Sequence, residues 1–152
     1  MGLIDFNKEF VERTKWIIEN VSCKYEITLL LNCMLALVSL PIERTGNMND
    51  ADKEFQRKCI AKLNELNVVK KHTSTRKTFR TIKNALSHMH ITPVNANDKI
   101  CFVEFDDKLP GANNFHTKLK FSVSQLKNFA LYVAELHLER FDRTPQASPT
   151  MQ

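Results

Sequence analysis

The run from Ile27 to Leu40 constrains the fold more than any other part of the chain. It is strongly apolar, and Asn32 and Ser39 lie inside it. Crossing a bilayer takes about 20 such residues, so the run is too short to span one. It reads instead as a helix buried on nearly all sides, with other elements packed around it. The rest of the sequence agrees. Gly and Pro number 3 and 5 in 152 residues, too few for the many tight turns of a sandwich or barrel. Apolar residues make up 43% and charged residues 26%, close to the globular average, which argues against general disorder. A single domain over residues 1–142 is expected, with a disordered tail over 143–152. The expected class is mainly α: a bundle of about five helices, with a small antiparallel β-hairpin between the fourth and last.

Hydrophobic spacing places the helices. The first runs from about Asp5 to Val21, with Phe6, Phe10, Trp16 and Ile17 on its apolar side and Asp5 or Asn7 as its cap. The second spans Tyr25 to Leu40, and Pro41 ends it. Glu43 to Asn49, containing Gly46 and Asn47, reads as a loop. The third runs from about Asp50 to Leu66 on Phe55, Cys59, Ile60, Leu63 and Leu66; Asp50 and Asp52 suit the positive end of its dipole. After the connection Val68 to Ser74, a fourth helix runs from about Thr75 to His88 on Phe79, Ile82 and Leu86. The pattern then turns strand-like around Ile100, Phe102, Val103 and Phe105. Leu119, Phe121 and Val123 alternate with Lys118, Lys120 and Ser122, and Pro110, Gly111, Asn113 and Asn114 mark the turn between the strands. Ser122 and Gln125 form a capping-box pattern for a last helix through Leu138, with Leu126, Phe129, Val133 and Leu136 as its buried seam. The tail from Arg143 has no apolar period.

The formal charge is +5 and the pI about 9.1, a modest bias towards polyanionic partners. Lys70, Lys71, Arg76, Lys77, Arg80 and Lys83 lie close together, with His72 among them and no carboxylate from Val68 to Val94. Such a run is either a solvated face or a phosphate-facing patch. Cys23, Cys33, Cys59 and Cys101 are scattered, with no C-x-x-C pair, and no signal peptide opens the chain; reduced thiols in a cytoplasm are expected. There is no Gly-rich phosphate loop, no H-E-x-x-H and no G-x-S-x-G, so those nucleotide, zinc and serine chemistries are set aside. No cofactor or metal is expected. The paired acids Asp106 and Asp107 lack a third ligand of suitable spacing and read as a polar turn.

The chemistry-bearing groups gather at the end of the fourth helix. Lys83-Asn84-Ala85-Leu86-Ser87-His88 supplies a cation, an amide and an imidazole, and His90 follows at once. Arg80, Asn84 and His88 recur every four residues on one stripe. These groups suit RNA cleavage, because RNA carries its own nucleophile in the ribose 2′-OH. An imidazole, titrating near neutral pH, moves the proton. A cation stabilises the charge on the phosphorane. An Asn orients the imidazole or donates to a phosphate oxygen. Lys83 and His88 lie about 140° apart on an ideal helix. They converge on one phosphate if the helix frays, if the Lys stem curls round, or if a second subunit brings its own copy. The plain alternative is a His placed where a cation suits a helix C-terminus. His72 reads as a solvated loop residue, and His116 and His137 as structural. Trp16 and the phenylalanines at helical spacing read as core. Glu26 and Glu43 flank the second helix, and Glu26 is a candidate partner for a basic residue near the motif.

The segment Ile82-Lys83-Asn84-Ala85-Leu86-Ser87-His88-Met89-His90-Ile91 resembles the defining motif of the HEPN superfamily, the higher-eukaryote and prokaryote nucleotide-binding helical domains. That motif is an Arg, often followed by Asn, then a short spacer and a His; many members read RNALSHG. Tyr25 to Asn32 and Leu40-Pro41-Ile42-Glu43 are similar to the second helix of small stand-alone bacterial and plasmid-borne HEPN nucleases. With the hairpin and last helix, the resemblance covers most of Phe6 to Arg140. It implies a bundle that pairs as a two-fold dimer, the motif helices meeting to build one shared ribonuclease site. It also implies metal-independent RNA cleavage in host defence or as a toxin. On this chain His88 would be the catalytic histidine and Asn84 the motif's polar residue, and Lys83 stands at the family's Arg position. Lys keeps the charge but loses the planar fork that grips a phosphate. Arg80, one turn before Asn84, is placed to take over that contact. Arg76, Lys77 and His90 are the remaining candidates for RNA contact; His90 would be an extra proton carrier or simply the start of a strand. The alternative is an attenuated module that binds RNA, a nucleotide or a protein partner such as a nucleotidyltransferase antitoxin.

Overall fold

The computed structural model describes residues 3–40, 50–69, 74–96, 98–107 and 118–143. Its elements in chain order are α1 (Leu3–Asn20), α2 (Glu26–Ser39), α3 (Asp50–Glu65), α4 (Thr75–His88), β1 (Ile91–Ala96), β2 (Lys99–Asp106), β3 (Lys118–Ser122) and α5 (Val123–Arg143). The mainly α class with a small antiparallel sheet between α4 and α5 is thus observed.

The helix α5 organises the molecule, packing against α1, α2, α3, β2 and β3. Its seam is the expected one: Leu126, Phe129, Val133 and Leu136 are all buried, with Ala130 and Ala134 between them. The capping box forms in full. Ser122 Oγ accepts from the Gln125 N–H at 3.1 Å, and Gln125 Oε1 accepts from the Ser122 N–H at 2.8 Å. Gln125 Nε2 also donates to the Leu66 carbonyl at 2.8 Å, tying the start of α5 to the end of α3. The helix continues beyond Leu138 because its last turns find distant partners. Arg140 pairs with Asp52 at 3.4 Å, Lys8 with Asp142 at 2.9 Å, and Phe141 packs against the core.

Two expectations about burial need correction. In α1 the buried residues are Val11, Thr14 and Ile18, spaced by three and four. Phe6 is 58% and Trp16 60% exposed, and Phe10 is exposed as well. Only one stripe of α1 meets the bundle. Phe6 and Phe10 flank that stripe and Trp16 falls on the opposite side, so helical spacing alone misassigned them. The helix also begins at Leu3, which places Asp5 and Asn7 inside it rather than at its cap. In α2, Leu30, Cys33, Met34, Leu37 and Val38 are buried, but Thr28 and Asn32 are exposed, so one side is open.

The sheet has three strands in the order β1-β2-β3, one more than a hairpin. Pro93 interrupts the strand signal of β1, and it is tolerated because β1 is an edge strand. Val103 lies opposite Phe121 and Phe105 opposite Leu119, and all four face the bundle. Ile100 and Phe102 point to solvent, and Val123 opens α5 instead of extending β3. All four cysteines are free thiols, and burial pushes the Cys59 thiol up to about 12. Among the described residues no helix is long and apolar enough to cross a membrane. Pro41, the loop Glu43 to Asn49, Lys70, Lys71, His72, Pro110, Gly111, Asn113, Asn114, His116 and residues 144–152 lie outside the described residues.

Candidate functional site

The helix α4 is built as expected and shows sharply divided faces. Ser74 caps it, its hydroxyl accepting from the Lys77 N–H at 3.4 Å. Thr78, Phe79, Thr81, Ile82, Ala85 and Leu86 are buried. Arg76, Lys77, Arg80, Ser87 and His88 are exposed, and Lys83 and Asn84 are half-buried. The basic run is therefore a continuous wet face that ends in an imidazole. The helix stops at Met89, which adopts the left-handed conformation (φ 53°, ψ 37°), and the His90 N–H bonds back to the Ala85 carbonyl at 2.9 Å. Glycine usually fills such a stop. A residue with a Cβ costs about 1–2 kcal/mol there.

The Arg80, Asn84 and His88 stripe splits in two. Asn84 Nδ2 donates to Asp107 Oδ1 at 3.1 Å, Thr81 Oγ1 lies 3.3 Å from Asp107 Oδ2, and Arg80 Nε stands 4.0 Å from the same oxygen. Asp107 has only 8% of its side chain exposed. It is thus more than the polar turn expected from sequence: it anchors the middle of the motif helix to the end of β2. By helix geometry Asn84 belongs in the centre of the wet face, and Asp107 is what covers it. Among the described residues Asn84 makes no hydrogen bond to His88 of its own chain, and its amide donates to Asp107. The Arg80 guanidinium is mostly in water, so its charge is only weakly offset at that distance. One sequence signal did point this way: a basic stretch with no acid of its own draws a counter-charge from elsewhere in the chain.

His88 instead faces His90. Their ring centroids are 5.9 Å apart with planes inclined at 36°. His88 is exposed and His90 half-buried. Beside them Met89, His90, Ile91, Thr92 and Asp106 line an open cleft of about 250 Å³. On the other side of Met89, which is 68% exposed, a shallow groove of about 80 Å³ runs between α2 and α4, lined by Thr28, Leu31, Asn32, Leu35, Leu86 and Met89.

The other candidates fall away from this site. Glu26 is exposed in the first turn of α2 and makes no ion pair among the described residues, so the expected pairing with the motif is absent. His137 is structural, as expected. It is 2% exposed, its Nε2–H donates to the Leu37 carbonyl at 2.7 Å, and its ring lies against Phe55. Burial, with the Arg140 charge nearby, lowers its pKa to about 4 despite that hydrogen bond. Among the described residues no three His, Cys, Asp or Glu side chains are grouped to hold a metal.

The fold and this helix end bear directly on kinship. A family model described as HEPN pEK499 p136 matches residues 1–144. No curated protein and no solved structure matches the chain. The match runs from α1 through α5 and includes the Lys83-Asn84 and His88 motif, so the chain belongs to the HEPN pEK499 p136 family, within the HEPN superfamily.

Proposed function

We propose that this protein is a HEPN-type endoribonuclease that cuts RNA by attack of the 2′-OH, at a site shared by two protomers, in host defence or as a toxin in the cytoplasm. The observation that carries the reading is the presentation of His88. Its imidazole is exposed, has no hydrogen bond among the described residues, and ends a face bearing Arg76, Lys77 and Arg80. In this mechanism His88 takes the 2′-OH proton or protonates the leaving 5′-oxygen. Lys83 or Arg80 neutralises the phosphorane, and Asn84, held by Asp107, fixes the polar surface beside it. The products are a 2′,3′-cyclic phosphate and a 5′-hydroxyl. The angle between Lys83 and His88 on one helix, about 140°, is why a second copy enters the reading: its cation reaches the phosphate that the first copy's imidazole serves.

The test is RNA cleavage in EDTA. The wild type should cut, and His88→Ala should lose cleavage while keeping its solution mass. Undiminished cleavage by His88→Ala would falsify the mechanism. Two observations favour a second reading, an attenuated module that binds RNA, a nucleotide or a partner such as a nucleotidyltransferase antitoxin. Lys83 replaces the family Arg, and the Asn84 amide is already engaged. A gain of activity in Lys83→Arg would mark the natural site as attenuated.

A further inference from the structure

We infer that His90 is a second proton-transfer group, paired with His88 of the same protomer, so that each chain carries both an acid and a base for one scissile phosphate. The inference rests on the ribonuclease reading above and goes beyond its single histidine. Residues two apart on a helix point to different sides. Here the left-handed turn at Met89 breaks the helix between them and brings the two rings to 5.9 Å. The backbone that carries the second imidazole is held on both sides. The His90 N–H is bonded to the Ala85 carbonyl at 2.9 Å, and its own carbonyl accepts from the Asp106 N–H at 3.0 Å. His90 is therefore fixed between the end of α4 and the end of β2. Neither imidazole makes a hydrogen bond among the described residues, so both have nitrogens available. Each needs to come within about 2.6–3.2 Å of the oxygen it serves. Ring centres 5.9 Å apart can straddle one phosphate in that way.

The division of labour follows from position. His88 stands exposed on the basic face, where the ribose bearing the attacking 2′-OH would lie. His90 stands at the lip of the cleft lined by Met89, Ile91, Thr92 and Asp106, which is open to receive the nucleoside on the leaving side. In the step, His88 takes the 2′-OH proton as the 2′-oxygen bonds to phosphorus. The bond from phosphorus to the 5′-oxygen breaks, and the His90 imidazolium gives its proton to that oxygen. Atoms and charges balance with no further reactant. Without His90, one protomer would offer a single imidazole, and the second proton transfer at the opposite side of the phosphorus would have to come from the other copy.

The experiment compares ordinary RNA with RNA carrying a 5′-bridging sulfur at the cleavage site, using the wild type, His88→Ala, His90→Ala and His90→Asn as dimers of verified thermal midpoint. A thiol leaving group, with a pKa near 8.5, departs without being protonated. His90→Ala and His90→Asn should lose about 10²–10⁴-fold on ordinary RNA. On the sulfur substrate they should regain rates close to wild type, whereas His88→Ala should stay slow on both. Equal losses on both substrates by the His90 variants would make His90 structural and overturn the pair. Full activity of His90→Ala on ordinary RNA would overturn it as well, with the His88 reading intact. A wild type that cuts neither substrate would bring down the ribonuclease reading and this assignment together.

Discussion

Met89 holds the backbone shape on which the site depends, and it does so at a cost. Its φ of 53° is normally left to glycine, and its side chain is largely in water, so packing offsets little of the strain. Met89→Gly should therefore stabilise the fold by up to about 1 kcal/mol, once the greater freedom of Gly in the unfolded chain is subtracted. That corresponds to a rise in thermal midpoint of about 2–4 °C, readable by calorimetry. A fall would mean that Met89 makes packing contacts that outweigh the strain. Asp107 makes the opposite prediction. Its nearly buried carboxylate meets Asn84 and Thr81, so Asp107→Ala should destabilise by about 1–3 kcal/mol in urea titrations. RNA cleavage should fall with it, because Asn84 loses its anchor. Activity and stability both unchanged would leave the carboxylate without a role.

At the level of elements, α5 connects the bundle to the sheet. Ser122→Ala removes the hydroxyl that caps it and should cost about 0.5–2 kcal/mol, measured by urea unfolding. His137 joins α5 to the end of α2 through the Leu37 carbonyl, and folding holds it neutral. Its pKa falls from about 6.5 in the unfolded chain to about 4 in the fold, so the unfolded state binds the proton first as the solution is acidified. The stability His137 contributes is complete above pH 6.5 and is lost progressively as the pH falls to about 4, by about 3 kcal/mol at most. His137→Gln should flatten that part of the stability profile, and an unchanged slope would assign the acid sensitivity to other groups.

For the whole molecule, the proposed site is a property of two copies. Solution mass should give a dimer. RNA affinity should weaken as salt rises, with a slope set by the number of phosphates that Arg76, Lys77 and Arg80 neutralise. Replacing Arg76 or Lys77 by Ala should lower that slope by about 0.7–0.9 for each phosphate the side chain neutralised. Binding that ignores salt would remove RNA from the reading and favour a protein partner.

What the sequence determined by itself was everything set by local periodicity and local hydrogen bonding. The span of α4, its buried Phe79, Ile82 and Leu86, the seam of α5 and the box between Ser122 and Gln125 were all readable, because each depends on residues within a turn or two of one another. The wet basic face and the position of His88 at its end followed for the same reason. Only the tertiary structure decided which stripe of α1 is covered, that Pro93 sits on an edge strand, that Asp107 caps Asn84, and that His90 turns its ring towards His88. Those outcomes depend on where β2 and α5 come to lie against the helices and, for His90, on the left-handed stop at Met89, where no glycine signals it. A carboxylate at a strand end reads alike whether it meets water or an amide on another helix, until packing brings that helix to it.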